Sequence, residues 1–125
     1  MDDLKLKIRP QIKRIGSLEG KKEVERFQNK TLRPILKLQH TLIMTYFENY
    51  LLRRKVKYKE KTSDKKHAFI ETLFAKDQQF KIELKAFILG LLTVEEFKQY
   101  TEISSDANKR ILTMLKQRIQ STIEA

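Results

Sequence analysis

The sequence predicts an all-α fold, and three observations carry that expectation. Glycine and proline are scarce, three and two in 125 residues, so few points along the chain favour a turn over continuous helix. Apolar residues recur at three- and four-residue spacing, while the strict alternation of half-buried strands is nearly absent. A chain with 40% hydrophobic and 9% aromatic residues can build one ordinary core, which predicts a single domain over residues 1–125. The expected architecture is a bundle of about five helices around a long central helix at residues 31–52.

Leu4, Ile8, Ile12 and Ile15 stand at helical spacing, but Pro10 interrupts any helix drawn through them. Either a helix begins near Arg9 with Leu4 to Ile8 extended, or the segment kinks. Gly16 to Gly20 ends it, and Lys21 to Gln28 reads as a short polar helix or as a loop that docks Val24 and Phe27; residues 1–28 are thus expected to be partly irregular. The central helix is expected to start at Thr31 as its cap, with Pro34 in the first turn, where a missing N–H matters little. At 100° per residue, Leu32, Ile35, Leu36, Leu42, Ile43, Tyr46, Phe47 and Tyr50 share its buried face.

A basic run follows, and then Thr62 or Ser63 with Asp64 caps a helix that turns Phe69, Ile70, Leu73 and Phe74 inward. Asp77 opens the next helix, which has two apolar stripes. Phe80, Leu84, Phe87, Ile88 and Leu91 form one, and Ile82, Ala86 and Leu89 the other. Gly90 is expected to be its left-handed C-terminal residue, and Thr93-Val94-Glu95-Glu96 reads as a capping box. A short helix carrying Phe97, Tyr100 and Ile103 comes next. Ser104 or Ser105 with Asp106 caps the last helix, whose buried stripe is Ile111, Leu112, Leu115, Ile119 and Ile123.

Charge is distributed unevenly. Of the 27 basic and 16 acidic residues, residues 1–62 carry 17 and 7, leaving 10 and 9 for the rest. Arg53-Arg54-Lys55-Val56-Lys57-Tyr58-Lys59-Glu60-Lys61 is too cationic to be buried, because an unpaired ammonium costs several kcal/mol to desolvate. Such an excess suits a polyanionic partner, nucleic acid or an anionic membrane surface, beside the plainer reading of a lysine-rich solvated surface. Arg53, Arg54, Lys55, Lys57 and Lys59 are the candidate phosphate contacts and Tyr58 the candidate base-stacking ring. Lys65 and Lys66 extend the run, and the cluster Lys5, Lys7, Arg9, Lys13 and Arg14 joins it if the first segment packs beside residue 53. No helix-turn-helix or other reading motif accompanies these residues.

Phe27-Gln28-Asn29-Lys30-Thr31-Leu32-Arg33-Pro34-Ile35, with Lys37-Leu38-Gln39 and Asn108-Lys109-Arg110, resembles a small helical family of Bacteroidetes-type bacteria whose members often carry the label "glyoxalase". Familiar metal-dependent glyoxalases use a mostly β fold with His and Glu ligands on strands, and no matching ligand motif occurs here. The resemblance therefore implies a helical fold and no activity.

Candidate polar residues in or near the core are Asn29, Arg33, Gln39, Asn108 and Arg110. Gln39 falls in the middle of the apolar face, either bonded across the core to a carbonyl or to Asn29 or Asn108, or lining a ligand pocket between helices. His40 and His67 are the only imidazoles, with no metal-ligand spacing, nucleophile elbow or Gly-rich phosphate loop, so neither a catalytic residue, a metal nor a cofactor is expected. The absence of cysteine fits a reducing compartment, the start Met1-Asp2-Asp3-Leu4-Lys5 has no apolar core of signal-peptide length, and the longest apolar run, Ala86 to Leu92, is too short to span a bilayer, so the expected location is the cytoplasm without membrane insertion. The leading functional expectation is a non-enzymatic interaction module, homodimeric through Ile82, Ala86 and Leu89 because an aliphatic line left in water marks a contact. A nucleic-acid-binding accessory protein using residues 53–66 is the alternative, and a small-ligand binder or enzyme with a pocket near Gln39 the third reading.

Overall fold

A computed structural model describes residues 1–10 and 22–124. Among them are eight α-helices and no strand: α1 (Asp2–Lys7), α2 (Glu23–Phe27), α3 (Arg33–Leu38), α4 (His40–Arg53), α5 (Ser63–Lys76), α6 (Gln78–Leu89), α7 (Val94–Glu102) and α8 (Ser104–Gln120). The all-α expectation holds, but the centre lies elsewhere than expected. It is α8, which packs against α2, α4, α5, α6 and α7, and the reason is its fully buried line Ala107, Ile111, Leu115 and Ile119, repeated every four residues. Leu112 and Ile123 flank that line and are only partly buried. None of these helices is long and apolar enough to cross a membrane.

Residues 31–52 do not form one helix. The path starts at Glu23, passes through a π-helical turn, Gln28–Leu32, and breaks again at Gln39 (φ −89°, ψ 5°). Pro34 accounts for the first irregularity. It offers no N–H to the Lys30 carbonyl and its ring crowds that carbonyl, so the preceding turn widens until Arg33 N–H bonds Gln28 O, five residues back. Thr31 is consequently a buried residue inside this turn and not a helix cap. The two interruptions also shift the helical phase, which explains why Leu42, expected inside, is 45% exposed while Ile43 and Phe47 stay buried.

Several caps differ from expectation. Gly90 is right-handed (φ −65°, ψ −17°), so its freedom to adopt the left-handed region is not used. The N-cap of α8 is Ile103, with no serine or aspartate side chain bonded there. Phe97 is 48% exposed although Tyr100, three residues on, is buried. Thr62 does cap α5, Asp77 caps α6 through Phe80 N–H at 3.0 Å, and Thr93 and Glu96 form the expected capping box.

The N-terminal segment is helical before Pro10, yet α1 buries no residue; Leu4, Leu6 and Ile8 are all more than half exposed. Polar contacts hold it to the α6–α7 turn. Arg9 grips both carboxylate oxygens of Glu96 at 2.7 Å and also donates to Leu91 O, Lys5 donates to Leu92 O, and Asp2 accepts from Val94 N–H. Burial alone pushes the Glu96 carboxyl up, but the Arg9 guanidinium and the Thr93 N–H outweigh it and hold it below the usual carboxylate range. Lys5 and Arg9 are thereby committed to the α6–α7 turn, whereas Ile12, Lys13, Arg14, Ile15 and the Gly16–Gly20 stop lie outside the described residues.

At the end of α4 the chain makes a Schellman turn: Lys55 N–H bonds Leu52 O and Val56 N–H bonds Leu51 O. The residue that must be left-handed there is Lys55 (φ 54°), where glycine is the usual choice because a Cβ costs about 1–2 kcal/mol in that region. Lys55→Gly is therefore expected to raise the unfolding free energy, by up to about 1 kcal/mol after the greater flexibility of glycine in the unfolded chain is counted. Urea unfolding measures this directly, and Lys55→Val should move the midpoint the other way.

Candidate functional site

The basic run becomes a corner between α4 and α5 that is fixed from both sides. The Schellman turn closes α4, and a short 3-10 turn, Tyr58–Glu60, carries the chain to the Thr62 cap. Between them Tyr58 is half-buried, edge-on to Phe47 at 5.3 Å and against Phe69 at 6.0 Å, with Lys66 Nζ 5.2 Å from its ring centre. Its ring is a wedge that pins the loop to the core and is not available as an open platform for a base. Burial raises its phenol above the ordinary value. Arg54 lies 3.9 Å over the Tyr50 ring and 3.9 Å from Asp77, the one ion pair of this corner among the described residues. Arg53, Lys55, Lys57 and Lys59 are exposed.

Beneath the corner, a cleft of about 480 Å³ separates α4 from α6, lined by Tyr46, Asn49, Tyr50, Arg53, Arg54, Gln79, Phe80 and Glu83. Tyr46 donates to Glu83 and Tyr50 to Asp77, both at 2.5 Å. Burial first, then the carboxylate bond, raises both phenols, that of Tyr50 up to about 12. The same bonds hold Asp77 and Glu83 below the ordinary carboxylate range, Asp77 with further help from Phe80 N–H. Phenols kept protonated and carboxylates kept ionised are committed to each other, an arrangement that orients Arg54 at the mouth and serves structure more than proton transfer near neutrality.

The five polar candidates do not converge on one pocket. Gln39 is half-buried and donates to Phe87 O at 3.0 Å. That carbonyl lies at the end of α6, where Leu91 N–H bonds Ile88 O, so Gln39 caps a helix end across the core and partners neither Asn29 nor Asn108. Asn108 accepts from Tyr100 OH at 2.5 Å, and Asn29 is half-buried within the π-helical turn. Arg110 donates to Gln28 at 2.6 Å, and Gln28 and Arg33 line a second cleft, between α3 and α8. There Lys37 and Arg118 join them, residues missed in the sequence although Arg33 and Lys37, and Arg110, Met114 and Arg118, stand at four-residue spacing on their helices. A third cleft, of about 720 Å³, lies between α2, α7 and Leu6 and is lined by carboxylates as well as cations.

Of the interface candidates, Ile82 is 60% exposed, Ala86 is exposed, and Leu89 is partly buried against the core. No group of His, Asp and Glu among the described residues is arranged to hold a metal ion. No family model, curated protein or solved structure matches the chain.

The Tyr50–Asp77 pair sets a pH dependence at both ends. The raised phenol contributes stability that is complete below about pH 10 and lost as pH rises towards about 12; the depressed carboxylate contributes stability present above the ordinary Asp value and lost as pH falls through the folded one. Tyr50→Phe should cost about 0.5–1.5 kcal/mol at neutral pH, the net value of one hydrogen bond. Thermal unfolding of the variant between pH 9 and 12 should fall less steeply than that of the parent, a comparison that isolates this phenol from Tyr46.

Proposed function

We propose that the protein is a non-enzymatic binding module whose basic corner at residues 53–66 holds a polyanion, nucleic acid being the partner that this chemistry fits. One observation carries the reading. Four cations stand exposed, Arg53 at the end of α4 and Lys55, Lys57 and Lys59 on a loop whose path is fixed by a Schellman turn and by the Tyr58 wedge, and Arg54 has the corner's one carboxylate partner among the described residues. A fixed loop loses little conformational freedom on binding, and cations without internal partners exchange only counterions for phosphates. Because Tyr58 is packed inward, recognition relies on backbone phosphates and not on base stacking. A cytoplasmic location accords with this role and with a chain free of cysteine.

A homodimer across α6 is a second reading, carried by the 60% exposure of Ile82. Leu89 already packs against the core, so Ile82 is the residue whose burial a partner copy would change most. Light scattering on the parent and on Ile82→Glu should show a dimer and a folded monomer; a monomeric parent at high protein concentration removes this reading.

For the polyanion reading, binding of duplex and single-stranded oligonucleotides should weaken with salt by roughly 0.7 to 0.9 of a log unit per phosphate contact for each tenfold change. Replacing Arg53, Arg54, Lys55 and Lys57 together by Ser should flatten the slope in proportion to the phosphates no longer neutralised, while circular dichroism stays unchanged. An unaltered slope in that variant would place phosphate binding away from the corner.

A further inference from the structure

We propose a second, separate anion site in the cleft between α3 and α8, where Arg33, Lys37 and Arg118 bind a phosphoryl group. The cleft encloses about 460 Å³ and is lined by these three cations, by Gln28, Gln117 and Ser121, and by the apolar side chains of Leu36 and Met114. Among the described residues no carboxylate lines it, in contrast to the α4–α6 cleft, which includes Glu83, and the α2–α7 cleft, which includes Glu23, Glu95 and Glu96. Three like charges share this one concavity, Arg33 and Lys37 exposed at its edge and Arg118 half-buried.

Arg118 is the centre of the argument. It is half-buried, and its hydrogen bond among the described residues goes to a ring nitrogen, with Nη1 3.3 Å from His40 Nδ1. An imidazole ring nitrogen can accept a hydrogen bond but offers no negative charge, so the guanidinium is oriented without being neutralised. Desolvation lowers its pKa accordingly. The contrast with Arg9 is direct: that guanidinium is buried too, and it holds both oxygens of a carboxylate. Among the described residues no Arg118 nitrogen is a fully buried donor without a partner, and the side chain lines the cleft. A planar fork of donors lining a cleft, with a second arginine and a lysine in the same lining, suits the tetrahedral oxygens of a phosphoryl group, which arginine binds in a bidentate manner. Arg110 braces one wall from outside by its bond to Gln28. The apolar pair Leu36 and Met114 leaves room for the body of an ester beside the anion, so a phosphate monoester is the class of ligand assigned.

Titration of the full ¹⁵N-labelled chain with orthophosphate, with adenosine 5′-monophosphate and with sodium chloride at matched ionic strength tests the site. Saturable amide shifts are expected at residues 33–37 and 117–121 with either phosphate and not with chloride. Arg118→Gln should weaken binding by at least about tenfold, the size of one charge-assisted hydrogen bond, and so should Arg33→Gln, whose exposed side chain has no part in the core. The four Ser substitutions at the basic corner should leave it unchanged, which separates this site from the corner whatever becomes of the polyanion reading. Saturation by a single-stranded oligonucleotide as well would show that the site also takes the phosphoryl group from a polymer. Identical shifts with chloride, or unaltered affinity in both arginine variants, would overturn the proposal.

Discussion

Phe80 is the residue on which the packing of α4, α5 and α6 depends. Its ring, 1% exposed, meets Tyr50 at 4.9 Å, Phe74 at 5.3 Å, Tyr46 at 5.7 Å and Phe47 at 6.5 Å, so one side chain contacts aromatics from two other helices at angles that favour edge contacts. Its backbone N–H is the group that Asp77 caps, and Asp77 also receives the Tyr50 hydroxyl. A single residue separates α5 from α6, and the cap and the ring fix the turn there from outside and inside. The orientation of Arg54 follows, because it rests on Tyr50. The chemistry of the basic corner is thus set by the core below it.

Much of this fold is legible in the sequence, and the parts that are not share a cause. Local signals read well: the Thr93–Glu96 capping box, the Asp77 cap and the inward Ile70 and Leu73 need only neighbours a few residues away. Errors arise where a helix departs from constant phase. A wheel drawn at 100° per residue through 31–52 cannot register the π-helical turn forced by Pro34 or the break at Gln39, and so it misplaces Leu42 and starts the helix at Thr31, eight residues late. The centrality of α8 is a tertiary property, since it lies in which helices its apolar line meets, and no local pattern names them.

The sites divide the same way. Exposure of Arg53, Lys55, Lys57 and Lys59 follows from charge density alone, whereas the inward turn of Tyr58 depends on Phe47 and Phe69, which are distant along the chain. Arg33 and Arg110 can be singled out as polar residues with reach. That Arg33 shares a cleft with Arg118, and Arg110 a bond with Gln28, needs α3 to cross α8, information that no local spacing holds.

The attachment of α1 has a thermodynamic consequence of its own. Heat capacity of unfolding arises from hydrating apolar surface, and Leu4 and Leu6 of α1, with Ile8 after it, are more than half in water already. Detaching it exposes carboxylate, guanidinium and carbonyl groups instead, which carry an increment of opposite sign. The two increments offset each other, so the free energy holding α1 to the bundle curves less with temperature than that of the core, and cooling that weakens the hydrophobic interior weakens this fastening less.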